Sequence, residues 1–128
     1  MTNLLKPLDG LKILVTDDTA DILILFTILL NSAGAKVDVA SSGHEAVDRA
    51  MASGYDIVLM DLRMPGMTGH EATMKLRNNG YSNPVIAITA HLDEREINEC
   101  RNSGFSDCIE KSVTRESLVS KILGLLAS

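Results

Sequence analysis

Two hydrophobic patterns alternate along the chain: short runs that are apolar almost throughout, and longer stretches whose apolar residues recur about every three to four positions. The runs Lys12–Thr16, Lys36–Ala40, Asp56–Met60, Pro84–Ile88 and Ser106–Glu110 predict strands. The stretches Thr19–Ala33, Gly43–Ser53, Thr68–Asn79, Leu92–Ser103 and Thr114–Leu126 predict helices. End signals agree with this division. Asp18 or Thr19 stands where it can cap the first helix and Ser42 where it can cap the second, while Gly34, Gly54, Gly80 and Gly104 stand where four helices stop. Strict alternation of strand and helix with short links requires right-handed crossovers. The expected fold is therefore α/β, a doubly wound parallel sheet with helices on both faces. Ile57-Val58-Leu59-Met60 shows no polar alternation, as a strand buried on both faces requires. In the first helix Ile22, Leu25, Phe26, Leu29 and Ala33 form the expected core stripe. Leu23, Ile24 and Ile28 lie off that stripe, as surplus apolar surface suited to a partner helix bundle or a dimer contact, unless the helix is simply buried on more than one side. Residues 1–10 have no place in the alternation, and Pro7 disfavours regular structure there, so they are expected to be a linker or N-terminal tail before one domain at 11–128.

Size and charge narrow the picture. A chain of 128 residues can bury one core without disulfides or a structural metal. No stretch approaches the roughly 18 uncharged apolar residues of a membrane span, so no membrane contact is expected of this segment. The first ten residues lack the apolar core of a secretory signal, which makes a cytoplasmic location the expectation. A formal net charge of −5 argues against nucleic acid as a partner, because phosphate backbones are bound by basic patches. Cys100 and Cys108 have neither metal-site nor redox spacing and are expected to be reduced and packed.

In a doubly wound sheet ligands bind beyond the carboxyl ends of the strands, so the residues closing each run carry the chemistry. The first run is followed by Asp17-Asp18, the third by Asp61, the fourth by Thr89 and the fifth by Lys111. Taken singly, each has an ordinary structural role: an acidic pair opens a helix, an aspartate starts a turn, a threonine ends a strand, a lysine is solvated. Together they fit one reaction. Carboxylates about 4 Å apart repel by about 4 kcal/mol at an effective dielectric of about 20, and something cationic must offset that. A hard divalent cation with few carboxylates and room for phosphate oxygens points to Mg²⁺. A carboxylate beside such an ion is a nucleophile toward phosphorus, with Lys111 and Thr89 as donors to the phosphoryl oxygens.

The acidic pair after the first run, the segment IVLMDLRMPGMTGHE, the ITA at 88–90 and the lysine in DCIEKS together resemble the response-regulator receiver domain of two-component signalling, over about Leu11 to the C-terminus. The resemblance implies a (βα)5 flavodoxin-like sandwich with strand order 2-1-3-4-5. It implies that Asp61 takes a phosphoryl group from a phosphohistidine, that Asp17, Asp18, Asp61 and the backbone carbonyl of Arg63 hold Mg²⁺, and that Lys111 contacts the phosphate. Thr89 matches the switch hydroxyl and Ala90 the small residue that leaves it access. The implied partner is a histidine kinase or histidine phosphotransfer domain, with Ile24 and Ile28 as docking candidates, and the domain is a signalling module rather than an enzyme. The lead-in KPLDGLKILVTDD resembles the start of receivers attached to hybrid sensor kinases.

Two departures from the family pattern stand out. Ser112 replaces the usual proline after the lysine, and since a cis bond before a non-proline residue costs about 3 kcal/mol, a trans Lys111–Ser112 bond or a reshaped loop is expected. Cys108 replaces an aromatic that normally swings inward, so the relay to a partner is expected to differ. Arg63 and His91 flank the acceptor and are expected either to tune the lifetime of the phosphorylated state or to be exposed polar residues with no such role. The alternatives are a haloacid-dehalogenase-like phosphohydrolase, which needs an acidic residue where Arg63 stands, and a degenerate receiver serving only as an interaction module. His44 and His70 are assigned no site.

Overall fold

In the computed structural model, which describes residues 5–127, strand and helix alternate without exception. The elements are β1 (Lys12–Thr16), α1 (Ala20–Ser32), β2 (Lys36–Ala40), α2 (Gly43–Ser53), β3 (Ile57–Asp61), α3 (Gly69–Asn78), β4 (Val85–Thr89), α4 (Glu94–Ser103), β5 (Asp107–Glu110) and α5 (Arg115–Ala127). All strand pairs are parallel, in the order β2-β1-β3-β4-β5. Every residue of β3 and β4 is buried, which is why these two runs lack polar alternation.

Period-two geometry divides the strands between two cores. Leu14, Val58, Met60, Val85, Ala87 and Cys108 face one side of the sheet, against Val47, Leu76 and Cys100 of α2, α3 and α4. Ile13, Val15, Ile57, Leu59, Ile86 and Ile109 face the other, against Phe26 and Leu30 of α1 and Leu118 and Ile122 of α5. Burial on both sides holds the sheet rigidly, so groups at its carboxyl edge inherit fixed positions.

Local expectations needed four adjustments. First, β3 and β4 run one residue further than their apolar runs, so Asp61 and Thr89 are themselves the last strand residues. Backbone pairing continues there, with Asp61 opposite Ile88 and the Leu62 N–H donating to the Ile88 carbonyl at 3.2 Å. Second, the buried face of α1 centres on Phe26 and Leu30 rather than Leu25, which is 41% exposed. Third, neither expected residue caps α1 through its side chain in the expected way: Thr19 at the N-cap makes no such bond, and its N–H donates to Asp17 Oδ1 at 2.8 Å.

The fourth concerns residues 1–10, of which 1–4 lie outside the described residues. Residues 7–10 form a turn rather than a detached tail. Leu8 is fully buried in the α1/α5 core, and its N–H donates to the Ala33 carbonyl at 2.8 Å. Gly34, at φ +101°, permits this, because a Cβ there would come within 2.9 Å of the Asp9 nitrogen and Lys6 Cβ. Leu8→Ala is expected to cost about 2 to 4 kcal/mol in urea unfolding. A change below about 0.5 kcal/mol, typical of surface substitutions, would show that the turn contributes nothing to the core.

Candidate functional site

The carboxyl edge of the sheet gathers the strand-end residues that the sequence singled out. Ladder bonds reach past two strand ends to place them: the Asp17 N–H donates to the Ala40 carbonyl at 3.1 Å, and the Lys111 N–H to the Thr89 carbonyl at 2.8 Å. Carboxylate oxygens of Asp17, Asp18 and Asp61 lie within 4.8 Å of one another, with Asp17 and Asp61 buried and Asp18 exposed. Lys111 Nζ sits between the buried pair, 3.2 Å from Asp17 Oδ2 and 3.3 Å from Asp61 Oδ1. The contact to Asp17 Oδ2 is an ion pair, and Asp17 Oδ2 and Asp61 Oδ2 are both buried with no hydrogen-bond partner. The Arg63 N–H approaches Asp61 Oδ1 at 3.4 Å.

Electrostatics follow from this crowding. Burial, then the neighbouring charge of Asp17, pushes the Asp61 carboxyl above the usual range, against the opposing pull of Lys111 and the Arg63 N–H. For Lys111, burial works against the charged form, but Asp17 and Asp61 together outweigh it and hold the ammonium above its ordinary value. One lysine thus compensates two buried carboxylates incompletely. An orphaned buried oxygen within a converging set of three carboxylates is the donor chemistry of a hard cation such as Mg²⁺.

Thr89 and Ala90 line a cleft of about 190 Å³ together with Asp61, Arg63, His91 and Lys111. The Thr89 hydroxyl is turned toward the following loop, donating to the His91 carbonyl at 3.2 Å and accepting from its N–H at 3.4 Å. The Lys111–Ser112 peptide is trans. Helix α3 crowds in from below: Gly69 lies so close that a Cβ would collide with the Asp61 carbonyl. Cys108 is not in this pocket; it packs in the core beside Cys100, and both thiols are free and buried. Burial pushes Cys100 up to about 12, which makes it an unreactive thiol. Ile24 and Ile28 are 57% and 61% exposed on the outer side of α1, bordering an open groove with Leu23, Val37 and Val39. Glu96, which lines the same small cleft as Asp61, was not legible as a site residue, because an acid in the first turn of a helix is ordinarily a dipole or capping group.

Together, fold and pocket define a class: a doubly wound sheet whose carboxyl edge carries a buried acidic cluster with a lysine. Residues 13–123 match the response regulator receiver domain family, and the chain belongs to it. Two-component response regulator 24 of Arabidopsis thaliana is 38% identical over 91% of this chain and 81% of its own length. Probable histidine kinase 2 of Oryza sativa is 35% identical over 94% of this chain, which spans only 13% of that kinase. Among solved structures, the receiver domain of a sensor histidine kinase from Pseudomonas aeruginosa PAO1, with a magnesium ion coordinated in its active-site cleft, is 30% identical. It superposes at a TM-score of 0.85, covering 93% of this chain and 99% of that one. Chemotaxis protein CheY4 of Vibrio cholerae shares the fold at a TM-score of 0.85 and 26% identity, over 90% of this chain and 98% of that one. The protein is a receiver domain of a two-component system, similar to those of hybrid sensor kinases, and the haloacid-dehalogenase alternative is set aside. Among the described residues no helix is long and apolar enough to cross a membrane.

The raised Asp61 value has a definite sign for stability. A folded state that holds this proton more tightly than the unfolded chain loses stability as pH rises from the ordinary carboxylate range through the Asp61 value, and the loss then levels off. Without divalent metal, Asp61→Asn is therefore expected to raise Tm at neutral pH, with the advantage shrinking toward acid. Thermal unfolding from pH 3 to 8 in EDTA measures it, and a lower Tm for the variant at neutral pH would contradict it.

Proposed function

We propose that Asp61 is the phosphoacceptor of this receiver, taking a phosphoryl group from a phosphohistidine on a histidine kinase or histidine phosphotransfer domain. The observation that carries this is the buried Asp61 carboxylate, with one oxygen on Lys111 and the other without a partner, facing an open cleft. An Asp61 oxygen attacks phosphorus, forming an acyl phosphate, as the phosphorus–nitrogen bond breaks and the imidazole leaves with the electron pair. Lys111, with its Nζ 3.3 Å from Asp61 Oδ1, receives the phosphoryl oxygens in this reading. Asp17, Asp18, Asp61 and the Arg63 carbonyl would hold Mg²⁺, which when bound supplies charge neutralisation and oxygen coordination for the transferring group.

Thr89 is the switch residue in this reading. Turning its hydroxyl toward the phosphoryl group exchanges the bonds to His91 for one to phosphate, which pulls the end of β4 and the loop before α4 inward. Ala90 leaves that path open, and Cys108, small and packed where the family has an aromatic, leaves the outward relay to α4 and β5. Arg63 and His91 border the cleft and tune how long the acyl phosphate survives. Ile24 and Ile28 provide apolar surface for the donor helices. Two free thiols suit a reducing compartment, so we read the domain as cytoplasmic, and as a signalling acceptor that turns over no substrate of its own.

Acetyl phosphate with Mg²⁺ is expected to add one phosphoryl mass to the wild type and none to Asp61→Asn or to protein in EDTA; incorporation into Asp61→Asn would move the acceptor elsewhere. Lys111→Ala is expected to slow incorporation by about 10²-fold or more. The double variant Ile24→Glu, Ile28→Glu is expected to accept phosphate from acetyl phosphate normally while losing transfer from a phosphohistidine donor. Normal transfer would leave these residues no docking role. For Arg63→Ala and His91→Ala, dephosphorylation rates unlike the wild type's are expected, and unchanged rates would remove their tuning role.

A further inference from the structure

Glu96 is the one buried acidic residue outside the Asp17–Asp61 pair among the described residues, at 9% exposure. Its place in the first turn of α4 does not require that burial. Asp93 already caps the helix by accepting the Glu96 N–H at 2.8 Å, and Glu94 adds an exposed acid for the dipole. The Glu96 carboxylate instead borders two cavities: the cleft of Asp61, Thr89 and Lys111, and a neighbouring one of about 540 Å³ that includes Asp18 and Pro65. Arg63 borders the same two. Its guanidinium Nη2 lies 3.7 Å from Glu96 Oε2, while its own N–H points at Asp61. The pair therefore forms the wall between the cavities, and it ties the loop after the acceptor to α4.

We propose that the Arg63–Glu96 pair sets the charge that an incoming phosphate meets: Glu96 puts a negative charge on the wall of the phosphoryl cleft, and Arg63, held beside it, screens that charge. This rests on the assignment of Asp61 as acceptor. The arrangement matters because Asp61, Asp93 and Glu96 all line the cleft, and a dianionic donor entering it meets a surplus of negative charge. Arg63 is 83% exposed, so by itself the ion pair holds little of the fold together. What it controls is whether a carboxylate lining the acceptor's cleft is screened.

A double-variant cycle with acetyl phosphate and Mg²⁺ tests this. Arg63→Ala, which keeps the backbone carbonyl, bares Glu96 and is expected to raise KM for acetyl phosphate on the order of tenfold at low salt, with a smaller change in maximal rate. Raising ionic strength is expected to shrink that difference, since screened charge is its cause. Glu96→Gln alone is expected to leave KM within about twofold of the wild type; added to Arg63→Ala it removes the bare charge, and KM is expected to return to the same range. A purely structural pair gives no such rescue and no salt dependence, and thermal unfolding of each variant in EDTA checks that the folds are intact. An unchanged KM in Arg63→Ala, or additive effects in the double variant, overturns the screening role while leaving Asp61 as acceptor. A wild type that gains no phosphoryl group at all overturns both.

Discussion

Two carboxylates buried a few ångströms apart at the edge of a parallel sheet share a single ammonium group, and the rest of the molecule is organised around keeping them there. Like charges at such spacing repel by several kcal/mol in a partly buried setting, and Lys111 offsets only part of it. A surface loop would relax and let the carboxylates part. This sheet does not relax, because β3 and β4 are buried at every position and held from both faces by separate cores. Gly69 lets the start of α3 pack directly on the Asp61 backbone carbonyl, which holds the end of β3 against that helix. Unfavourable charge is thus built into the edge, relieved in part by Lys111 and by a proton on Asp61, and further by a cation that binds there.

On the proposed reading, the same rigidity is what would make the edge readable by a partner. Thr89 ends β4, and its hydroxyl is spent on the His91 backbone, a pair of long bonds that a better acceptor can replace. The loop that follows leads into α4, where Glu96 meets Arg63. If Asp61 is the acceptor as proposed, an event there has two outlets, through Thr89 and through the Arg63–Glu96 pair, both of which lead to the start of α4. Cys108, small and fixed in the core beside Cys100, leaves this route without a swinging aromatic.

Sheet architecture and most of the pocket were legible because the strands are short, mostly apolar runs, interrupted in β2 by Asp38, and each candidate residue closes or directly follows one. Asp17, Asp18, Asp61, Thr89 and Lys111 needed only the rule that chemistry in such a sheet collects at its carboxyl edge. Strand ends were misplaced by one because a backbone ladder continues under a polar side chain as readily as under an apolar one. Helix α1 hid its buried face because it is apolar nearly all round, so no polar side marks its orientation. Leu8 belongs to no periodic segment, and its burial depends on Gly34 opening space across the α1–β2 link. Glu96 and Arg63 are far apart in sequence, and only the fold places them on one wall.

All of this turns on whether the crowded carboxylates constitute a metal site. Calorimetric titration of Mg²⁺ into the wild type, Asp17→Asn and Asp61→Asn asks that directly. One saturable site in the wild type, weakened at least tenfold, about 1.4 kcal/mol, in each variant, is expected. Binding that is absent from the wild type, or equally strong after Asp17→Asn, would contradict it.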